Sequence, residues 1–383
     1  MTTTAPQGFR AAGVAAGLKS SGDPDVALVV NDGPDDVAAA VFTTNRFPAA
    51  PVLWSRQVLG NSRVRAVVLN SGGANACTGP EGFGDTHATA EHVAQTLGLG
   101  AIDVAVASTG LIGVRLPMEE LTAGVTAAAA QLSTDGGPAA ARAIMTTDSV
   151  PKTTVQTGEG WTVGGMAKGA GMLAPSLATM LVVLTTDAVV TADVLAPALR
   201  HATEHSFERV DSDGCLSTND TVLVLANGAS GVTPDAAELG AALDAACLDL
   251  AMQLLADAEG STKDIAIEVR NAASVADALT AARACARNNL LKTALFGNDP
   301  NWGRVLAAIG TTDAAFEADQ VDVTINGVTV CRGGAIGDSR DGVDLTGRAI
   351  SIDVDLRAGS ERATVWTNDL SIAYVHENSA YST

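Results

Sequence analysis

Aromatic side chains are scarce in this sequence, at 3 % of 383 residues, so its core must be built from closely interlocked aliphatic groups. Positive charge is scarce too: 23 Lys and Arg stand against 43 Asp and Glu, a formal net charge of −20. Phosphate backbones are gripped by basic surfaces, and this balance argues against a nucleic-acid partner. Charged residues of either sign make up only 17 % against 47 % apolar, the reverse of what keeps a chain disordered. Long apolar runs are missing as well. Stretches such as Val26–Val30 and Met180–Leu184 fall far short of the ~20 residues of a membrane span. Residues 1–22 also lack the apolar segment of a secretory signal. The five cysteines, Cys77, Cys215, Cys247, Cys285 and Cys331, are scattered and form no C-x-x-C. They argue against a disulfide framework or zinc ribbon and read as buried free thiols in a reducing cytoplasm.

What the sequence does contain is alternation. Its length predicts roughly two to three domain-sized units. Val26–Asn31, Val37–Thr43, Val64–Asn70 and Ile102–Ala107 read as short Val-rich strands. Helical periodicity runs over Asp85–Leu97, with Asp85 or Thr86 as cap, over Pro117–Leu132 and over Pro234–Ala258. Asp264–Arg270, Val321–Ile325, Ile350–Val354, Ala363–Thr367 and Ser371–Val375 read as further strands. No repeat and no Pro/Ser-rich linker divides the chain. These patterns predict an α/β (α+β) body with mixed sheets and a smaller subdomain in the C-terminal third.

Two motifs need weighing before they are set aside. Gly169-x-Gly171-x-x-Ala174 fits the dinucleotide fingerprint, which works only when a helix follows to receive the pyrophosphate. Here Pro175 and the β-rich run Ala178–Thr185 follow instead. His201, Glu204 and His205 fit the H-x-x-E-H pattern of inverted zinc peptidases. A catalytic zinc needs a third protein ligand, and none is evident nearby, so the two histidines read as surface residues on a polar helix face. Neither a cofactor nor a metal is expected.

The stretch from Gly164 to Thr186 carries the chemistry. Its first half is a Gly/Pro loop with one cation, and its second half is a strand that begins near Thr179. Backbone held between such a loop and a rigid strand can be strained, and strained peptide bonds are candidates for self-cleavage. Breaking Ala178–Thr179 frees an α-amino group with an unperturbed pKa of about 7.7–8.0 beside the Thr179 hydroxyl. That pair is a self-contained nucleophile and base. None of the five histidines falls in a Ser-His-Asp setting that could do the same.

The sequence resembles the ornithine acetyltransferases, the glutamate N-acetyltransferases of arginine biosynthesis, over essentially its whole length. The anchors are NSGGANACTG (70–79), STGLIG (108–113), MTTD (145–148), KGAGMLAPSLATML (168–181), STNDT (217–221), DAEGSTK (257–263), ALFGNDPNWGR (294–304) and ENSAYST (377–383). Ala170, Ser176 and Leu177 depart from the commoner residues at their positions and remove no group the chemistry uses.

The resemblance implies stacked α, β, β and α layers in a self-cleaving enzyme like those with an N-terminal nucleophile. It implies cleavage between Ala178 and Thr179 into chains 1–178 and 179–383, with a C-terminal subdomain over roughly 280–383. Two such pairs would assemble as a heterotetramer in the cytoplasm. Thr179 would take acetyl from N-acetylornithine and pass it to glutamate in ping-pong fashion, with acetyl-CoA as an optional second donor. Thr109 and Gly110 match the oxyanion hole. Thr146, Lys168, Thr179, Glu259, Asn378 and Thr383 match the substrate contacts, Lys168 suiting a carboxylate and Glu259 an amine. Related self-processing amidases and aminopeptidases, which hydrolyse the acyl-enzyme instead, are the alternative. A non-catalytic amino-acid binder, with Thr179 a plain strand residue, is the rival from another class.

Overall fold

The computed structural model describes residues 2–172 and 180–380, and three mixed sheets organise them. The first holds four strands in the order Phe9–Val14, Val26–Asn31, Ala66–Ser71 and Val104–Thr109, the last two parallel. The second, of five, runs Val37–Phe42, Thr221–Ala226, Leu181–Thr186, Thr162–Lys168 and Lys152–Thr157. The third has six strands between Asp264 and Asn368.

Burial explains the sequence texture. Val26–Asn31, Ala66–Ser71, Val104–Thr109, Leu181–Thr186 and Thr221–Ala226 are buried at every position. Strands covered on both faces read as continuous apolar runs, not as alternating ones. The two faces of the second sheet separate with period two. Leu181, Val183, Leu223 and Leu225 share a core with the first sheet. Val182, Leu184, Val222 and Val224 face Leu195 and Leu199 of helix Ala192–Glu204 and Leu243 and Leu250 of helix Ala236–Ala256. That second helix has 21 residues and contains an 18-residue window of mean hydropathy 1.5, enough by length and composition to cross a membrane; here it lies against the sheet. The third sheet has its own core with helices Val275–Ala286, Asn289–Phe296 and Trp302–Ile309.

Several expectations need correction. The helix read as Asp85–Leu97 begins at Gly79, a start hidden by three glycines. Asp85 is therefore no cap but an interior residue paired with Arg115 at 2.6 Å. Ile102 and Asp103 form a 3-10 turn, and the strand after them extends to Thr109. Ser371–Val375, read as a strand, opens the helix Ile372–Ala380, where the Ser371 hydroxyl accepts the Tyr374 N–H at 2.9 Å. Cys77 and Cys215 are exposed, while Cys247, Cys285 and Cys331 are buried. His201 and His205 lie on one helix with rings 4.2 Å apart, and among the described residues no group of three ligands could hold a metal.

Candidate active site

The parallel strands Ala66–Ser71 and Val104–Thr109 end side by side, Ser71 opposite Thr109. Beyond them the N–H groups of Gly72 and Gly73 both donate to the Thr109 carbonyl at 3.0 Å. Gly110 follows at φ +130°, and a Cβ there would lie 2.5 Å from the Gly73 nitrogen, so only glycine lets the two loops approach. Asn219 fastens this corner from the second sheet, its side chain donating to the carbonyls of Ala74 and Ser108 at 2.6 and 2.7 Å.

Lys168 ends the strand Thr162–Lys168 and is 2 % exposed. Its ammonium donates to the Thr109 hydroxyl oxygen at 3.2 Å. An ammonium has no lone pair, so the Thr109 hydroxyl accepts here and keeps its own proton for another acceptor. Burial pulls the Lys168 pKa down, while Asp148, Asp220 and Glu259 resist that fall and Lys152 adds to it. Burial alone would raise the Asp148 carboxyl. Lys168, Lys152 and the Gly169 N–H outweigh it and hold Asp148 at about 2. Asp220 goes the other way. Burial pushes it well above the usual carboxylate range, against the Met180 N–H, Ser217 and Lys168. One oxygen of Asp220 accepts the Met180 N–H at 3.1 Å; the other is buried with no hydrogen-bond partner among the described residues.

Glu259 lies three residues past the helix Ala236–Ala256. Its N–H donates to the Ala170 carbonyl at 3.0 Å. Its carboxylate presses on Gly171, where a Cβ would come within 2.7 Å of it. Gly260 follows at φ +60°, and a Cβ there would fall 2.1 Å from the Tyr374 nitrogen, so this bend seats the C-terminal helix that carries Asn378. Thr109, Gly110, Thr146, Lys168, Glu259 and Asn378 thus line one pocket, with Ser217, Thr218 and Asn219 on its wall. Ala178, Thr179 and Thr383 fall outside the described residues. A cation, a carboxylate and polarised hydroxyl and glycine groups around one small cleft suit a zwitterionic ligand and a carbonyl carbon that becomes tetrahedral.

The sequence model of the ArgJ family matches residues 10–383. The chain belongs to the ArgJ family. It is similar to the arginine biosynthesis bifunctional proteins ArgJ of Streptomyces avermitilis, 65 % identical over 382 residues, and Thermobifida fusca, 63 % over 383; each alignment covers 100 % of both chains. A solved ornithine acetyltransferase from Mycobacterium tuberculosis, crystallised with ornithine, is 61 % identical. It covers 47 % of this chain and 96 % of its own, with a TM-score of 0.45. As an ArgJ-family protein, the chain is an acetyltransferase of arginine biosynthesis.

MTTD and STNDT are anchors of the resemblance, which implies no role for their acids. Behind this ArgJ-family pocket Asp148 is a charge partner of Lys168, and an Asp220 carboxylate oxygen accepts the Met180 N–H. An acidic residue inside an otherwise small, uncharged motif was the available signal.

Proposed function

We propose that this enzyme moves acetyl from N-acetylornithine to glutamate through an acetyl ester on Thr179. The convergence of Lys168, Glu259, Thr109 and Gly110 on one pocket carries the reading. Self-cleavage comes first. The Thr179 hydroxyl oxygen bonds to the Ala178 carbonyl carbon and the C–N bond breaks, its nitrogen taking a proton. Water then hydrolyses the ester, releasing the Ala178 carboxylate and restoring the Thr179 hydroxyl beside the α-amine that the C–N cleavage freed. In turnover that amine, in its neutral form, takes the hydroxyl proton while oxygen attacks the acetyl carbon. The Thr109 hydroxyl and the Gly110 N–H bind the oxyanion. Collapse expels the ornithine amine, which takes up a proton, and glutamate enters as its free amine to remove the acetyl from Thr179. Lys168 receives the substrate carboxylate and Glu259 the ornithine ammonium, with Thr146, Asn378 and Thr383 completing the contacts. Acetyl-CoA is the second donor in this reading.

The same reading stacks the first and second sheets between two helical layers, as the shared cores of the two sheets support. It divides the chain into 1–178 and 179–383, two of each forming a cytoplasmic heterotetramer, with a C-terminal subdomain over roughly 280–383 that the separate core of the third sheet supports. Intact-mass analysis after incubation with N-acetylornithine tests it. The expected result is two fragments, the 179–383 fragment carrying one acetyl, merging into a single unmodified chain in Thr179→Ala. An uncleaved wild-type chain would overturn the mechanism, and free acetate as the dominant product would favour the hydrolase alternative. A tag appended after Thr383 is expected to depress activity.

A further inference from the structure

Behind the pocket lies a chain of buried charges that the transfer steps do not use. The fully buried Lys152 ammonium sits between two carboxylates, 2.6 Å from Asp148 and 2.5 Å from Asp257. Each carboxylate reaches a segment that lines the pocket. Asp148 accepts the Gly169 N–H at 2.7 Å, directly after Lys168, and the Thr146 N–H at 3.0 Å. Asp257, two residues before Glu259, accepts the Ser149 N–H at 3.0 Å and the Ser149 hydroxyl. Segments far apart in sequence are fixed by one ion chain. A buried ion pair often gains nothing over apolar side chains of equal volume, so stability alone does not account for it. What apolar packing could not provide is a fixed charge next to Lys168.

We propose that Asp148 and Lys152 are positioning residues: the Asp148–Lys152–Asp257 chain holds the segments bearing Thr146, Lys168 and Glu259 in register, and Asp148 supplies the fixed negative charge beside Lys168. This rests on the reading of Lys168 as the cation that meets the substrate carboxylate. The charged groups facing Lys168 are Asp148, Asp220 and Glu259, which favour its proton, and Lys152, which disfavours it. Asp148 is the strongest of them. The two inner members of the chain therefore pull Lys168 in opposite directions.

That opposition supplies the test. The pH dependence of kcat/KM for acetylglutamate formation is measured for wild type, Asp148→Asn and Lys152→Met, with intact mass reporting the cleaved fraction of each. In Asp148→Asn the alkaline limb is expected to move down by about one pH unit or more, the scale of a neighbouring opposite charge. In Lys152→Met the same limb is expected to move up. General loosening of the fold cannot shift one limb in opposite directions. Each variant has its own predicted direction, so if one fails to fold the other still decides. Limbs that stay in place, or move together, would overturn the proposal. Lys168→Met separates it from the reading beneath it. An unchanged KM for glutamate there removes both; a raised KM with unmoved limbs removes the proposal alone.

Discussion

Replacing Thr109 by valine keeps the shape of a side chain that is 1 % exposed and deletes only its hydroxyl. Two losses follow. Lys168 loses an acceptor 3.2 Å away, and the oxyanion loses a donor that the lysine polarises, because a hydroxyl accepting from a cation is a stronger donor itself. Losing one donor of this kind costs about 2.7–4 kcal/mol in the transition state, or ~10²–10³-fold in kcat. Thr109→Ser keeps the hydroxyl and gives up one buried methyl group, so its kcat should stay within about a few-fold of wild type while stability falls by roughly 1 kcal/mol. The assay is the initial rate of acetylglutamate formation at saturating substrate. Rates are divided by the cleaved fraction from intact mass, so that a defect in self-cleavage is not counted as one in transfer. A valine variant that is fully cleaved and keeps more than about a tenth of wild-type kcat would exclude an oxyanion role for the hydroxyl, because no oxyanion donor is that dispensable. A serine variant as slow as the valine would refute it too, since the methyl and not the hydroxyl would then be what matters.

Gly110→Ala places a Cβ 2.5 Å from the Gly73 nitrogen and 2.7 Å from the Gly72 carbonyl carbon at φ +130°; thermal melting should show a loss of about 2 kcal/mol or more, and an unchanged Tm would contradict the close approach. Gly260→Ala drives a Cβ to 2.1 Å from the Tyr374 nitrogen and should lift the C-terminal helix, raising KM for both substrates through Asn378; unaltered KM values would detach that helix from the site. Asp148 titrates at about 2 in the folded protein against 3.8 as a free side chain. A carboxyl with a depressed folded pKa contributes stability that is complete above its unfolded pKa and lost as pH falls through the folded one. Melting temperature should therefore fall more steeply from about pH 4 to pH 2 in wild type than in Asp148→Asn; Asp220 is common to both proteins, so its opposite contribution cancels. Equal slopes would count against the buried ion pair.

Several strands are legible because burial on both faces leaves Val and Ala no alternative face to alternate with, although Thr221–Ala226, buried just as fully, is not among those the sequence reveals. Val26–Asn31 was read with the ends it has in the structure. Element onsets were harder. Gly79, Gly82 and Gly84 look like a loop in sequence, yet Gly82 is helical because its bare Cα lets Thr78 and Asn75 close on the first turn, where a Cβ would meet the Thr78 hydroxyl at 1.9 Å. The C-terminal segment has β-type composition, and a single serine cap outweighed it. Within the site, Lys168 stands out as the one cation of a Gly/Pro loop, whereas Glu259 is indicated by the resemblance. Asp148, Lys152 and Asp257 do not stand out, because their relation is tertiary: 105 residues separate Lys152 from Asp257.

Lysine itself held a signal that composition alone did not expose. The chain has five, Lys19, Lys152, Lys168, Lys263 and Lys292, and the last four are buried. Lysine ordinarily belongs to the surface. Here arginine occupies the exposed ion pairs, such as Arg10 with Asp32 and Arg332 with Asp338. Each buried ammonium instead has a set of fixed acceptors. Lys152 has two carboxylates, Lys263 the carbonyls of Leu345, Thr346 and Gly347, and Lys292 the Ser212 carbonyl and the Thr367 hydroxyl. Burial still draws Lys292 down to about 8. A net charge of −20 surrounds these groups with a field that favours their protonated form, so the acidic surface and the cationic pocket support each other. An arginine could not stand in for Lys168. Its planar fork has five donors to satisfy, whereas the buried Lys168 ammonium donates to the Thr109 hydroxyl at 3.2 Å.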